Sequence, residues 1–269
     1  MKLKKYVGFM LAAVLCVSAL AGCSSTSKKE TETTTTETDG KTLRIAFPDM
    51  VTTTDPANVS AATMLKEVAG VCETLVYADS DFKLQPMLAT EWEQTGDTTW
   101  EFKLRDDVTF HDGTKFNADA VKWCLERERD ENSAFKGSTF IDSVDVVDEY
   151  TIRINTTQPT TELPGAVSYV GTAIVAPTSV DENGEFVKAI GTGCFMQTDF
   201  DVTSGKFTCE KYDGYWGDVN TSVTSRVITC MTDASARSLA LQNGEVDIVS
   251  EGRYHEKRVE SLQGNQFEV

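Results

Sequence analysis

The chain has 269 residues, 40% of them hydrophobic, which is enough to bury a core as one large domain or two smaller ones. Its 42 Asp and Glu outnumber 25 Lys and Arg for a formal net charge of −17, and three of the cations (Lys2, Lys4 and Lys5) lie in the first five residues. So acidic a body repels phosphate backbones and argues against nucleic-acid binding, while it suits solubility and the attraction of cationic or zwitterionic ligands.

Lys2, Lys4 and Lys5 precede an apolar run over residues 6–20, and Leu20-Ala21-Gly22-Cys23 follows. A basic start, a short apolar stretch and small residues before a cut are the parts of a secretory signal, here over residues 1–22. The run is shorter than the roughly 20 residues a membrane span needs. Residues 24–40, SSTSKKETETTTTETDG, contain no apolar side chain. Such a segment cannot offset its ordering entropy, so residues 23–40 read as a disordered tether with a reach of about 20–25 Å.

Residues 42–47 read as a first strand ended by Pro48, followed by a polar turn, Thr52-Thr53-Thr54-Asp55-Pro56, closed by an X-Pro step. Met64, Leu65, Val68, Val71, Cys72 and Leu75 recur at helical spacing and predict a helix over residues 61–77. A short strand is expected at 82–86 and a turn at 86–94. Trp100, Phe102 and Leu104 alternate with polar partners and predict a half-buried strand at 99–104, with another at 108–110. His111-Asp112-Gly113 reads as its turn and not as catalytic machinery, because Asp and Gly are turn formers and no nucleophile has a recognisable setting nearby. Asn117 caps a predicted helix running to about Arg129, whose late basic residues suit the negative helix end.

Residues 140–147 and 150–155 predict an antiparallel pair joined at Asp148-Glu149. Gly191-Thr192-Gly193 reads as a tight crossover, since no helical pattern follows that would make it a phosphate cradle. Strands are expected at 207–212 and 226–228, a helix at 233–241 stopped by Asn243-Gly244, and a last strand at 245–249. Seven cysteines are present. Cys16 lies in the signal, and of the others none forms a Cys-x-x-Cys pair. The two histidines, His111 and His255, have no ligand-like spacing to them, so no metal site and no cofactor is expected. Buried free thiols are the default for Cys72, Cys124, Cys194, Cys209 and Cys230; a Cys194–Cys209 bridge is conceivable if those two lie on neighbouring strands.

The stretch LATEWEQTGDTTWEFKLRDDVTFHDGTKFNADAVKWCLER over residues 88–129 resembles the family 5 extracellular solute-binding proteins, the peptide-, nickel- and oligosaccharide-capturing subunits of ABC importers. Three further pieces are similar to that family: Gly191-Thr192-Gly193-Cys194-Phe195 (Cys where Pro is usual), Tyr215-Trp216, and Gly244-Glu245-Val246-Asp247-Ile248. The Leu-Ala-Gly-Cys ending resembles a lipobox and implies lipidation of Cys23. The resemblance implies an α/β fold of the type II periplasmic-binding-protein kind. A mixed-sheet core over 41–60 and 171–269 would be interrupted by an α+β accessory domain over 61–170. It implies the first lobe only, with the second lobe absent, and hence weak ligand binding by this chain alone. Candidate solute contacts on that layout are Thr53, Thr54, Asp55 and Asn58 in the turn and Gly191, Thr192 and Gly193 in the crossover. The implied partners are a peptide or other small solute and the permease subunits in the membrane. A nickel- or oligosaccharide-binding role and a non-transport surface lipoprotein are the alternatives. A hydrolase would need a nucleophile or paired carboxylates in a recognisable setting, and none stands out.

Overall fold

In the computed structural model, which describes residues 40–250, two larger sheets and a two-stranded hairpin divide the strands. The stretches read from sequence as a secretory signal and a tether, with Cys23, His255 and the chain beyond Ser250, lie outside the described residues. The strand β1 (Lys41–Phe47) lies second from the edge of a five-stranded mixed sheet of order β11-β1-β10-β9-β8. It runs parallel to β10 (Val223–Cys230) and to β11 (Ile248–Val249), while β9 (Lys206–Lys211) and β8 (Phe195–Asp201) complete one side as antiparallel strands. The helix α5 (Ala234–Gln242), capped by Asp233, carries the chain from β10 over β1 to β11.

The second sheet has the order β4-β5-β7-β6 and is antiparallel throughout, built from β4 (Ala89–Gly96), β5 (Thr99–Leu104), β6 (Ile141–Asp148) and β7 (Thr151–Thr156). Its period-two pattern makes one face apolar. Trp100, Phe102 and Leu104 on β5 and Ile152 and Ile154 on β7 are buried, whereas Glu101 and Lys103 point to the other face with Arg153 and Glu91 as partners. Helix α2 (Ala118–Glu131) covers the apolar face with a stripe of Ala118, Val121, Cys124 and Leu125, and Asn117 accepts the Ala120 amide at 3.0 Å as its cap. A small hairpin pairs β2 (Val76–Ala78) with β3 (Leu84–Pro86). One continuous apolar cluster joins Ile45 and Phe47 of the first sheet to Phe102 and Ile152 of the second.

The structure departs from the sequence reading at several places. The helix expected over 61–77 stops early: α1 (Val59–Thr63) passes into a π-helical turn (Met64–Ala69) and ends at Gly70, which adopts φ +69°. Val71, Cys72 and Leu75 continue as buried extended chain, so their helix-like spacing reflects burial and not a helical face. Residues 91–94 belong to strand β4 and not to a turn, because Trp92 pairs with Phe102 across the sheet. No strand forms at 108–110, where a single bridge, Thr109 to Lys115, closes the His-Asp-Gly turn. Only Ile248 and Val249 of the last expected strand pair, and the short helix α3 (Ser133–Thr139) was not anticipated; a further short helix, α4, spans Leu163–Ala166. All five described cysteines are free. Register explains why the conceivable bridge does not form: Cys209 faces Gln197, while the Cys194 carbonyl accepts the Tyr212 amide.

Candidate functional site

The carboxyl ends of β1, β10 and β11 open on one edge of the first sheet, and open α/β sheets take ligands at that edge. The chain leaving β1 there forms the turn that the sequence singled out. Thr53 Oγ1 accepts the Asp55 amide at 3.1 Å, Asp55 Oδ1 accepts the Ala57 amide at 3.0 Å, and Asn58 Oδ1 accepts the Ala61 amide at 3.1 Å as the cap of α1. Asp55 also forms a two-pronged pair with Arg127 of α2, at 2.9 and 2.6 Å. Arg127 reaches Glu131 at 2.7 Å as well, and its guanidinium lies over the Phe186 ring. The four candidate residues of this turn therefore differ in what they offer. Thr54 is buried, Asp55 is committed to Arg127, and Asn58 caps a helix. Thr53 is half-buried, and exposed Asp49, Met50 and Thr52 lie beside it on the open edge. A groove of about 510 Å³ adjoins the end of the turn at Val59 and is lined by Phe135, Ala166 and Tyr169, with Tyr169 well exposed.

The second group of candidates, Gly191, Thr192 and Gly193, is brought against residues 70–73 and His111. A Cβ on Gly191 would stand 2.0 Å from the Val71 carbonyl oxygen, and one on Gly193 would stand 2.3 Å from that of Gly70. Both glycines are there because backbone meets backbone, with the Gly193 amide donating to Val71 O at 3.0 Å. His111 locks the crossover from the other side: its amide donates to Gly191 O at 3.0 Å and its Nε2 lies 2.8 Å from Gly193 O. A carbonyl can only accept, so the ring proton sits on Nε2, and buried Nδ1 has no partner. Burial accordingly lowers the His111 pKa to about 4, against the rise that its bond to the Gly193 carbonyl favours.

Residues the sequence reading passed over hold this region together. Glu73, buried between Cys72 and Thr74, accepts from Thr192 Oγ1 at 2.8 Å, Tyr215 OH at 2.8 Å and Trp216 Nε1 at 2.9 Å. Burial raises its pKa while the three donors oppose the rise. Arg105 stacks on the Trp216 ring with its guanidinium carbon 4.1 Å from the centroid. The Tyr-Trp pair noted for its family likeness thus has a physical role, tying the loop after β9 to the segment after Gly70. A lone carboxylate inside the run Val71-Cys72-Glu73-Thr74-Leu75 was the available signal. Glu128 was also missed. It lies on the buried stripe of α2, three residues after Leu125, and its side chain is fully buried with neither carboxyl oxygen hydrogen-bonded. Burial, followed by the nearby Asp55 charge, pushes its pKa up to about 8. Among the described residues no group of three or more His, Cys, Asp or Glu is placed to hold a metal ion, and no helix is long and apolar enough to cross a membrane.

A mixed sheet whose parallel strands open onto a ligand edge, joined to an antiparallel sheet and helices, defines a lobe of the type II periplasmic-binding-protein kind. Comparison with known proteins gives the family. Residues 83–266 match the model of the bacterial extracellular solute-binding proteins, family 5, and the chain belongs to that family. It is 27% identical over 216 residues to the glutathione-binding protein GsiB of Escherichia coli (strain K12), covering 76% of this chain and 41% of that protein. The nickel ABC transporter structure from Bacillus halodurans superposes with a TM-score of 0.73 at 35% identity, covering 84% of this chain and 46% of that one. An ABC transporter substrate-binding protein from Sinorhizobium meliloti gives a TM-score of 0.74 at 34% identity, covering 85% and 48%. The chain spans under half the length of each of these relatives.

Proposed function

We propose that this chain is the solute-recognising component of an ABC importer for peptides, exported and held at the extracytoplasmic face of the cell membrane by a lipid on Cys23. Family membership over residues 83–266 is the observation that carries this reading. On it, the open edge at the ends of β1, β10 and β11 is one wall of the solute cleft. Asp49, Thr52 and Thr53 face the solute there, while Asp55, Thr54 and Asn58 hold the turn in place. Gly191, Thr192 and Gly193 keep the neighbouring crossover tight against residues 70–73. Binding and delivery to a permease are the role, with no chemistry performed on the solute. The acidity of the chain favours zwitterionic or cationic solutes, which peptides are.

A nickel-carrying role is the second reading, favoured by the 35% identity to the Bacillus halodurans structure. Residues 1–269 supply part of the contacts available in relatives about twice as long. Affinity on the order of millimolar is therefore expected for this stretch tested alone. Calorimetric titration with glutathione, with mixed tripeptides and with Ni²⁺ plus histidine separates the readings. Saturable heat with peptides supports the first, and preference for the nickel complex supports the second. Hydrolysis of any of these peptides by the protein would end both. Mass spectrometry of membrane-extracted protein tests the lipid: a mass increase confined to a peptide beginning at Cys23 is expected, and an unmodified or uncleaved N-terminus contradicts it.

A further inference from the structure

Glu128 occupies a place where an apolar residue would ordinarily stand. Along α2 the buried positions are Ala118, Ala120, Val121, Cys124, Leu125 and Glu128, so the carboxyl group is carried into the core by the same helical period that buries its neighbours. Its side chain is 0% exposed, and neither oxygen has a hydrogen-bond partner. The nearest cation, Arg127, is 3.9 Å away through Nη1, beyond hydrogen-bonding reach, and its two terminal nitrogens are already engaged by Asp55 and Glu131. An isolated buried carboxylate without hydrogen bonds is strongly disfavoured, whereas the neutral acid is tolerated.

We propose that Glu128, held as a neutral carboxylic acid, is a positioning residue that leaves Arg127 to Asp55 and so fixes the turn at residues 52–58. Loss of its proton to solvent would place a third carboxylate around one guanidinium. The new charge would draw Arg127 Nη1 away from Asp55 and repel Asp55 itself. Asp55 carries the turn through three contacts, the Arg127 pair, the Ala57 amide on Oδ1 and the Asn58 amide on its carbonyl, so weakening the first loosens the approach to α1. The groups facing Glu128 are Asp55 from the turn, Arg127, Glu131 and Cys124 from its own helix, and Cys72 from the chain after Gly70. Burial holds both thiols far above the usual thiol range, so they stay neutral across the window concerned. The consequence for solute rests on the cleft reading above; the pH response of the turn does not.

The sign follows from linkage. The acid has a raised pKa in the folded state, so its contribution to stability is complete below the unfolded value of 4.5 and is lost as pH rises to about 8. The test compares urea unfolding of the full chain and of Glu128→Gln, an isostere of the neutral acid, between pH 4.5 and 9. The folding equilibrium constant of the wild type relative to the variant is expected to fall about tenfold per pH unit across that window and to level off above it. Amide exchange at Asp55, Ala57 and Ala61 should be faster in the wild type than in the variant at pH 8.5. Parallel pH profiles, or a variant less stable than the wild type at pH 8.5, overturn the proposal. If Glu128→Gln does not fold, wild-type protein labelled with ¹³C at the glutamate carboxyls decides: a resonance with a midpoint near 8 supports the assignment, and midpoints all below 6 refute it. Solute titration fails or succeeds independently of these readouts.

Discussion

Replacing Glu73 probes the polar knot that joins three distant stretches of chain. In Glu73→Leu the Thr192 hydroxyl, which is fully buried, loses its acceptor, and Tyr215 and Trp216 lose theirs while remaining half-exposed. An unsatisfied buried donor costs about 1–3 kcal/mol. That full penalty falls on Thr192, and water relieves part of it at the other two. Removing a buried carboxylate also recovers some desolvation. The net expectation is a loss of about 2–4 kcal/mol for Glu73→Leu. Glu73→Gln keeps one acceptor oxygen, which can serve both Thr192 and Trp216, and should lose about 1–2 kcal/mol. Urea unfolding at pH 7, followed by tryptophan fluorescence and by circular dichroism, measures both. The Trp216→Phe variant alone and combined with Glu73→Gln should show coupling of about 1–3 kcal/mol. A Glu73→Leu protein as stable as the wild type would mean that apolar packing alone, and not the Glu73 hydrogen bonds, holds residues 215–216 against residues 71–73.

Three further outcomes are expected. Gly193→Ala places a methyl group 2.3 Å from the Gly70 carbonyl oxygen, a backbone atom that cannot swing aside, and should cost more than about 2 kcal/mol in thermal or urea unfolding. Gly113→Ala, where nothing lies within 4 Å but φ is +81°, serves as the control for backbone strain without collision. Half-buried His111 has a depressed pKa, so its contribution is complete above 6.5 and is lost as pH falls to about 4; the wild type should lose up to about 3 kcal/mol over that range, and His111→Gln, which can still donate to Gly193 O, should not. The Asp55–Arg127 pair is only 15% and 10% exposed, so Asp55→Ala should lose about 3–5 kcal/mol, whereas the double variant Asp55→Ala/Arg127→Met should recover much of it.

The sequence made the second sheet and its helix legible because each rests on a short-range pattern. Trp100, Phe102 and Leu104 alternate, Ile152 and Ile154 answer them across the pair, and Asn117 marks the helix start. At residues 61–77 the helical spacing overstates the helix. Apolar residues at 71, 72 and 75 extend the helical spacing past Gly70, and only the left-handed conformation there shows that the chain turns out of the helix. The turn at 53–58 and the tight Gly-Thr-Gly crossover are legible as local backbone chemistry, and their proposed contact with solute comes from the family layout alone. The partners of Glu73 are not legible in this way, since they lie 119 to 143 positions away along the chain. Glu128 breaks the apolar stripe that its own helix predicts, and that break was its signal.

On the proposed function, the edge formed by the ends of β1, β10 and β11 is a solute wall. Nuclear magnetic resonance of ¹⁵N-labelled protein titrated with a tripeptide mixture tests it directly and registers weak binding. Saturable shifts concentrated in residues 49–58 and 231–233 are the predicted result. Shifts concentrated on the outer face of the four-stranded sheet, or none at millimolar peptide, would contradict it.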